Sequence, residues 1–352
     1  SRKLGISPKL KSRYSISNLA RELSTMSTIA MVKAAEKRLK GNVRRTPMLT
    51  SPILDEVAGR QVLVKAECLQ HTGSFKFRGA WSAISALPKE DRARGVIAFS
   101  SGNHAQGVAL AASMHKTKAV IIMPEDAPKI KIENTKALNA KVVFYDRAGG
   151  ENRDEVANKI NEKENLCLIK PFDDPEVIAG QGTTGIEITF QAKDLKVRDA
   201  DVLVCTGGGG LASGIALALK EYSDNLRVRT VEPKGFDDYA HSLRAGRPVV
   251  NKNVTGSICD AIITPTPGLL TFPILNRLAG PGLVVTDEEC LNAMALAFKC
   301  LKIVIEPGGA AALAAALFHG AYIDGSAVIA VATGGNVDQD MFAHALSKYG
   351  KI

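Results

Sequence analysis

Long apolar runs are missing from this 352-residue chain: none approaches the ~18 uninterrupted residues of a membrane-crossing helix, so no such span is expected. Paired metal spacing is missing too. The six cysteines (Cys68, Cys167, Cys205, Cys259, Cys290, Cys300) stand apart from one another, which suits a reducing compartment better than a disulfide scaffold. Aromatic side chains are scarce, 5% of residues with a single tryptophan, and no basic face is studded with them. A formal charge of +9 therefore does not indicate a nucleic-acid reader. Internal repeats and low-complexity segments are also lacking. What is there is 45% apolar residues, ample for a buried core in one large domain or two smaller ones.

The charge is uneven. Residues 1–25 hold six basic residues (Arg2, Lys3, Lys9, Lys11, Arg13, Arg21) and one acid, Glu22, so +5 sits in that segment and +4 in the remainder. Its Ser, Arg and Lys with few acids match an organellar transit peptide, and a passive leader has the same composition. A cytoplasmic location is expected if it is a passive tail, a mitochondrion or plastid if it is targeting. The domain proper is expected to begin near Met26 or Met31, with a first helix over 31–39.

From Val62 onward, short β-rich runs alternate with helical patterns, the signature of mostly parallel α/β sheets covered by helices on both faces. Strands are expected at 96–99, 119–123, 141–145 and 166–170, with helices over 105–114, 151–163 and 176–189. A second series opens at 201–205, continues through a helix over 211–222 to a strand at 226–231, and closes at 327–331. Two such series predict two lobes with a cleft between them. Ligands of open α/β sheets sit beyond the carboxyl ends of the strands.

Two chemical features fall at those ends. Gly207-Gly208-Gly209-Gly210 follows an apolar strand and opens a helix, so backbone N–H groups can close around an anion where a Cβ would obstruct it. No Gly-Lys-Ser/Thr follows, and the dinucleotide fingerprint is not met. Lys76, flanked by Phe75 and Phe77, supplies an amine that becomes nucleophilic when desolvated. One aldehyde-capturing amine plus one phosphate cradle is what pyridoxal 5'-phosphate (PLP) requires.

The chain from about residue 27 onward resembles the fold-type II PLP enzymes, specifically the serine/threonine dehydratase and serine racemase group, in seven ordered motifs. These are residues 44–49 (Arg-Arg-Thr-Pro-Met-Leu), the Schiff-base motif 72–80, Ser100-Ser101-Gly102-Asn103-His104, 177–183, Gly207 to Gly210 with Leu211, Glu306-Pro307-Gly308-Gly309, and Thr333-Gly334-Gly335-Asn336. The resemblance implies a large PLP-binding domain from 26–94 and 168–352, a small α/β domain from 95–167, and a homodimer. It implies the Schiff base on Lys76. It implies cofactor contacts from Phe75, Asn103, the four glycines, Leu211, Glu306 and Thr333, and substrate contacts from Ser100, Ser101, Gly102, Asn103 and His104. Asn103 would meet the cofactor's 3'-oxygen. Thr333, where the family more often has Ser or Cys, would offer the pyridine nitrogen a neutral hydroxyl, which favours β-elimination.

Ser101 stands where serine racemases place a second acid/base opposite the lysine, so racemisation is permitted as well as elimination. Glu232, the Phe236 carbonyl and Asp238 resemble the racemase branch's divalent-cation loop, and hard oxygen ligands suit Mg²⁺, Ca²⁺ or Mn²⁺. In Ser257-Ile258-Cys259-Asp260-Ala261, Cys-Asp-Ala stands where the group usually has Ala-Asp-Gly, so two enlarged side chains, Cys259 and Ala261, are expected to reshape the pocket. Cys259 reads as a packing residue, and His71 as either a structural residue or a contact for a substrate side-chain carboxylate. The expected activity is a PLP-dependent ammonia-lyase converting L-threonine or L-serine to a 2-oxo acid and ammonia. A 3-hydroxyaspartate dehydratase, which needs an extra cation or donor for the β-carboxylate, a serine racemase, and a non-catalytic PLP-binding protein are the alternatives. The sequence ends soon after the Thr333 motif, so no regulatory domain and no feedback inhibition by isoleucine are expected.

Overall fold

The computed structural model describes residues 26–100, 102–127, 129–146 and 148–350. Ten strands are present among them: β1 (Met48–Thr50), β2 (Gln61–Ala66), β3 (Val96–Phe99), β4 (Ala119–Pro124), β5 (Lys141–Tyr145), β6 (Cys167–Leu168), β7 (Ala200–Cys205), β8 (Leu226–Pro233), β9 (Leu283–Val285) and β10 (Ala327–Ala332). They form a six-stranded sheet in the order β1-β2-β10-β7-β8-β9 and a four-stranded sheet in the order β5-β4-β3-β6. Every pairing is parallel except β1 with β2.

Burial explains the sequence of the central strands. All six residues of β7 and of β10 are buried, as expected where helices cover both faces of a parallel sheet. The polar member of β7, Asp201, is neutralised by Arg229 on the neighbouring strand, Nη1 to Oδ2 at 2.6 Å.

The helix that presents the glycine run is held by close packing. Asp174 caps the 20-residue helix Pro175–Asp194 by accepting from the Glu176 and Val177 amides, and this helix lies against Gly210–Tyr222. The contact is backbone on backbone: a Cβ on Gly214 would lie 2.4 Å from the Ile178 carbonyl oxygen. Small residues at the crossing therefore set the distance from which the start of Gly210–Tyr222 faces the cavity.

Some expected boundaries move. The strand expected at 166–170 shrinks to β6, because Pro171 has no amide to continue the ladder past the Ile169 N–H, which still reaches the Ile97 carbonyl. The helix expected at 176–189 runs on to Asp194. β1 and β9, three residues each, carry too little periodicity to be read from sequence, and the helix Pro307–Phe318 is buried all round and has no polar face to give it a period.

Candidate active site

A cavity of about 520 Å³ lies where both sheets end. Its walls include Phe99 at the end of β3, Ser100, Gly102 and Asn103 just after it, Thr206 to Gly210 just after β7, and Thr333 just after β10. These are the carboxyl ends of parallel strands, the position α/β sheets offer to ligands.

Lys76 opens the helix Lys76–Ala86. The residue is half-buried and lines the cavity, and its amine donates to the Pro171 carbonyl at 2.7 Å. Burial lowers its pKa from 10.5 to about 8, with Glu306 opposing the shift. The segment before it is pinned to β10: the Phe75 amide donates to the Thr333 carbonyl at 3.1 Å, and Ser74 pairs with Gly334. Phe75 and Thr333 thereby share the cavity wall with Lys76.

Asn103 is held at both ends of its amide. Its Nδ2 donates to Glu306 Oε1 at 2.6 Å, and its Oδ1 accepts from Asn336 Nδ2 at 2.7 Å. Glu306 is driven up to about 7 by burial, with the Asn103 bond opposing. His104 touches the cavity, but its Nε2 is bound to the Ile169 carbonyl at 2.9 Å, and burial followed by the charge of Lys76 pushes its pKa down to about 3. It is a neutral wall residue. The Gly102 amide donates to Ser100 Oγ at 3.1 Å, shaping the turn that begins the helix Asn103–Met114. Ser101 and residues 1–25 lie outside the described residues.

The glycine run forms a cradle that side chains would fill. A Cβ on Gly208 would sit 2.2 Å from the Phe172 ring, and one on Gly209, where φ is +92°, would sit 2.1 Å from the Tyr239 hydroxyl. Gly209 caps the helix Gly210–Tyr222, whose first amides have no partner within the helix, and Leu211 closes the wall beside them. An enclosed, nucleophilic amine and an anion-binding helix start in one cavity fit the aldehyde and the phosphate of PLP.

The expected cation ligands are also brought together. Glu232 is buried, and its two oxygens accept from the Tyr239 and Ala240 amides at 2.7 and 2.9 Å. Asp238 Oδ1 accepts from Asn251 at 2.8 Å, while its buried Oδ2 has no partner. Burial raises both carboxyls, Asp238 to about 7, and the Asp238 charge disfavours the Glu232 anion further. Phe236 is buried beside them. Among the described residues no three His, Cys, Asp or Glu side chains converge as a metal cluster, so a cation here needs the Phe236 carbonyl and water.

Cys259 and His71 both take packing positions. Of the two enlarged side chains, Cys259 is fully buried, with its sulfur 3.7 Å from that of Cys290 in the apolar core, whereas Ala261 lines the cavity beside Asp260. His71 packs edge-on against Phe77 at 4.9 Å, away from the cavity wall. Besides Lys76, the basic residues that line the cavity are Lys131, 3.9 Å from Asp260, and Arg153, whose guanidinium lies over the Phe99 ring at 5.5 Å. Neither belongs to a motif, and only the fold of the four-stranded sheet's helices carries them to the site.

The profile of the pyridoxal-phosphate dependent enzyme family matches residues 39–334. An L-threo-3-hydroxyaspartate ammonia-lyase of Pseudomonas sp is 42% identical over 316 residues, covering 90% of this chain and 97% of that protein. A serine racemase of Arabidopsis thaliana is 39% identical, covering 88% of this chain and 93% of that protein. The crystal structure of a T.th. threonine deaminase superposes with a TM-score of 0.82 at 44% identity, covering 88% of this chain and 99% of that one. With a lysine and a glycine cradle in one cavity and a family match across most of its length, the chain belongs to the pyridoxal-phosphate dependent enzymes.

Proposed function

We propose that the protein is an ammonia-lyase that converts a 3-hydroxy amino acid to its 2-oxo acid and ammonia. The observation that carries this reading is the placement of the Lys76 amine, lowered to about 8, in the cavity that also holds the glycine cradle. PLP, when bound, draws electrons from the substrate's α-carbon and so makes the α-proton removable. The neutral Lys76 amine takes that proton. The first amides of the helix Asn103–Met114 and the Ser100 hydroxyl hold the substrate carboxylate, with the helix dipole adding positive potential. Thr333 brings a hydroxyl rather than a carboxylate, so no anion keeps a proton on a pyridine nitrogen placed against it, which favours loss of the β-hydroxyl over long-lived carbanion chemistry. The C–O bond breaks and the hydroxyl leaves with the proton that Lys76 took, as water, and one water is consumed when the amino group is released as ammonia.

L-Threonine and L-serine are the simplest substrates. Lys131 and Arg153 favour a further one, L-threo-3-hydroxyaspartate, because either cation can pair with a β-carboxylate that the other two substrates lack. The Pseudomonas relative at 42% identity is named for that substrate. Ser101 leaves serine racemisation as an accompanying activity, and the half-satisfied Asp238 beside Glu232 supports a Mg²⁺ or similar ion at that loop.

The test is release of 2-oxo acid and ammonia from L-threonine, L-serine and the 3-hydroxyaspartate isomers, with chiral analysis of the remaining substrate. Equal yields of oxo acid and ammonia are expected. Arg153→Gln should reduce kcat/KM for 3-hydroxyaspartate by about 10²-fold while changing L-threonine turnover only a few-fold, since it removes a contact that only the diacid makes. Equal losses on both would remove Arg153 from substrate selection.

A further inference from the structure

On the far side of the glycine cradle from the cavity sit two hydroxyls with no part in the chemistry above. Tyr239 and Thr271 are both fully buried, and their side-chain oxygens lie 2.6 Å apart. Thr271 Oγ1 is 2.6 Å from the Gly208 carbonyl oxygen, Tyr239 Oη is 3.2 Å from it, and the Gly268 amide reaches the same oxygen at 3.3 Å. A carbonyl oxygen has two lone pairs, so the arrangement that satisfies all the groups is a relay: Tyr239 donates to Thr271, and Thr271 donates to Gly208. Tyr239 is itself anchored, since its backbone amide donates to the buried Glu232.

The Gly208 carbonyl and the Gly209 amide belong to one trans peptide and point in opposite directions. A carbonyl held on the Tyr239 side therefore turns the Gly209 N–H away from it, toward the cavity that Gly209 lines. We infer that Tyr239 and Thr271 are positioning residues for phosphate binding, fixing the peptide that aims an amide into the cradle. The tight fit of Gly209 agrees: the Tyr239 hydroxyl occupies the place a side chain there would need. This inference rests on the reading of the cavity as a PLP site, and it concerns the phosphate end alone.

The experiment titrates the 352-residue chain, freed of cofactor, with PLP and with pyridoxal, which keeps the aldehyde and lacks the phosphate. Tyr239→Phe and Thr271→Val should each raise the dissociation constant for PLP by about tenfold, the scale of one buried hydrogen bond to a group that must stay oriented. Pyridoxal binding should be unchanged in both. Thr271→Ser, which keeps the hydroxyl, should bind PLP like the parent, and melting temperatures of the cofactor-free variants report any loss of folding. Equal weakening of PLP and pyridoxal, or unchanged PLP binding in both Tyr239→Phe and Thr271→Val, overturns the inference. A parent chain that binds neither compound would instead defeat the PLP reading itself.

Discussion

Lys76 owes its reactivity to where it is buried. An exposed lysine is almost wholly protonated at neutral pH; with burial bringing its pKa to about 8, a useful fraction of neutral amine is present. The sign gives a pH dependence: capture of an aldehyde by the folded chain should rise with pH and level off above about 8, well below the ordinary 10.5, and stopped-flow absorbance with pyridoxal would follow it. A rise continuing past the ordinary lysine value of 10.5 would mean the amine is solvated. Ser101, proposed as the second acid/base, is the residue whose loss would separate racemisation from elimination. Ser101→Ala should suppress D-serine formation by ~10²–10⁴-fold, the cost of a missing acid/base, and leave most L-serine dehydration intact, as chiral chromatography would read. Equal loss of both activities would assign the serine to substrate binding.

At the scale of elements, the loop from Glu232 to the helix Asp238–Ala245 concentrates two buried carboxyls whose charges repel. Asp238 moves from 3.8 to about 7, so the folded chain keeps a proton the unfolded chain gives up, and without a cation this group's contribution to stability falls as pH rises between those values. Chelation should therefore lower the melting temperature most above about pH 7, and Mg²⁺, Mn²⁺ or Ca²⁺ should restore it. Asp238→Asn, which removes one charge, should be insensitive to chelator; a cation response equal to the parent's would show that the ion binds elsewhere. This loop was legible in the sequence only through its resemblance to the racemase branch's cation loop, while the glycine turn was legible from the apolar strand before it and the helix after it. The sequence could not show that Glu232 also caps the helix after it, because that depends on where a backbone amide arrives.

Across the whole molecule, the alternation of apolar runs and helical patterns was enough to read two α/β lobes, since strands buried on both faces leave continuous apolar segments such as 200–205 and 327–332. Short edge strands and the all-apolar helix Pro307–Phe318 escaped, having no period to detect. The cavity-lining residues that sit in motifs could be picked out from the chain. Lys131, Arg153, Tyr239 and Thr271 were not, because each is brought to the site by folding rather than announced by a motif for that role. The assembly of one cavity from both lobes is what turns a lysine and a distant glycine run into one centre. The most direct test of that claim is borohydride reduction of the PLP-loaded protein followed by peptide mapping. The account predicts a pyridoxyl group on Lys76 and none in Lys76→Ala; a label on any other lysine would contradict it.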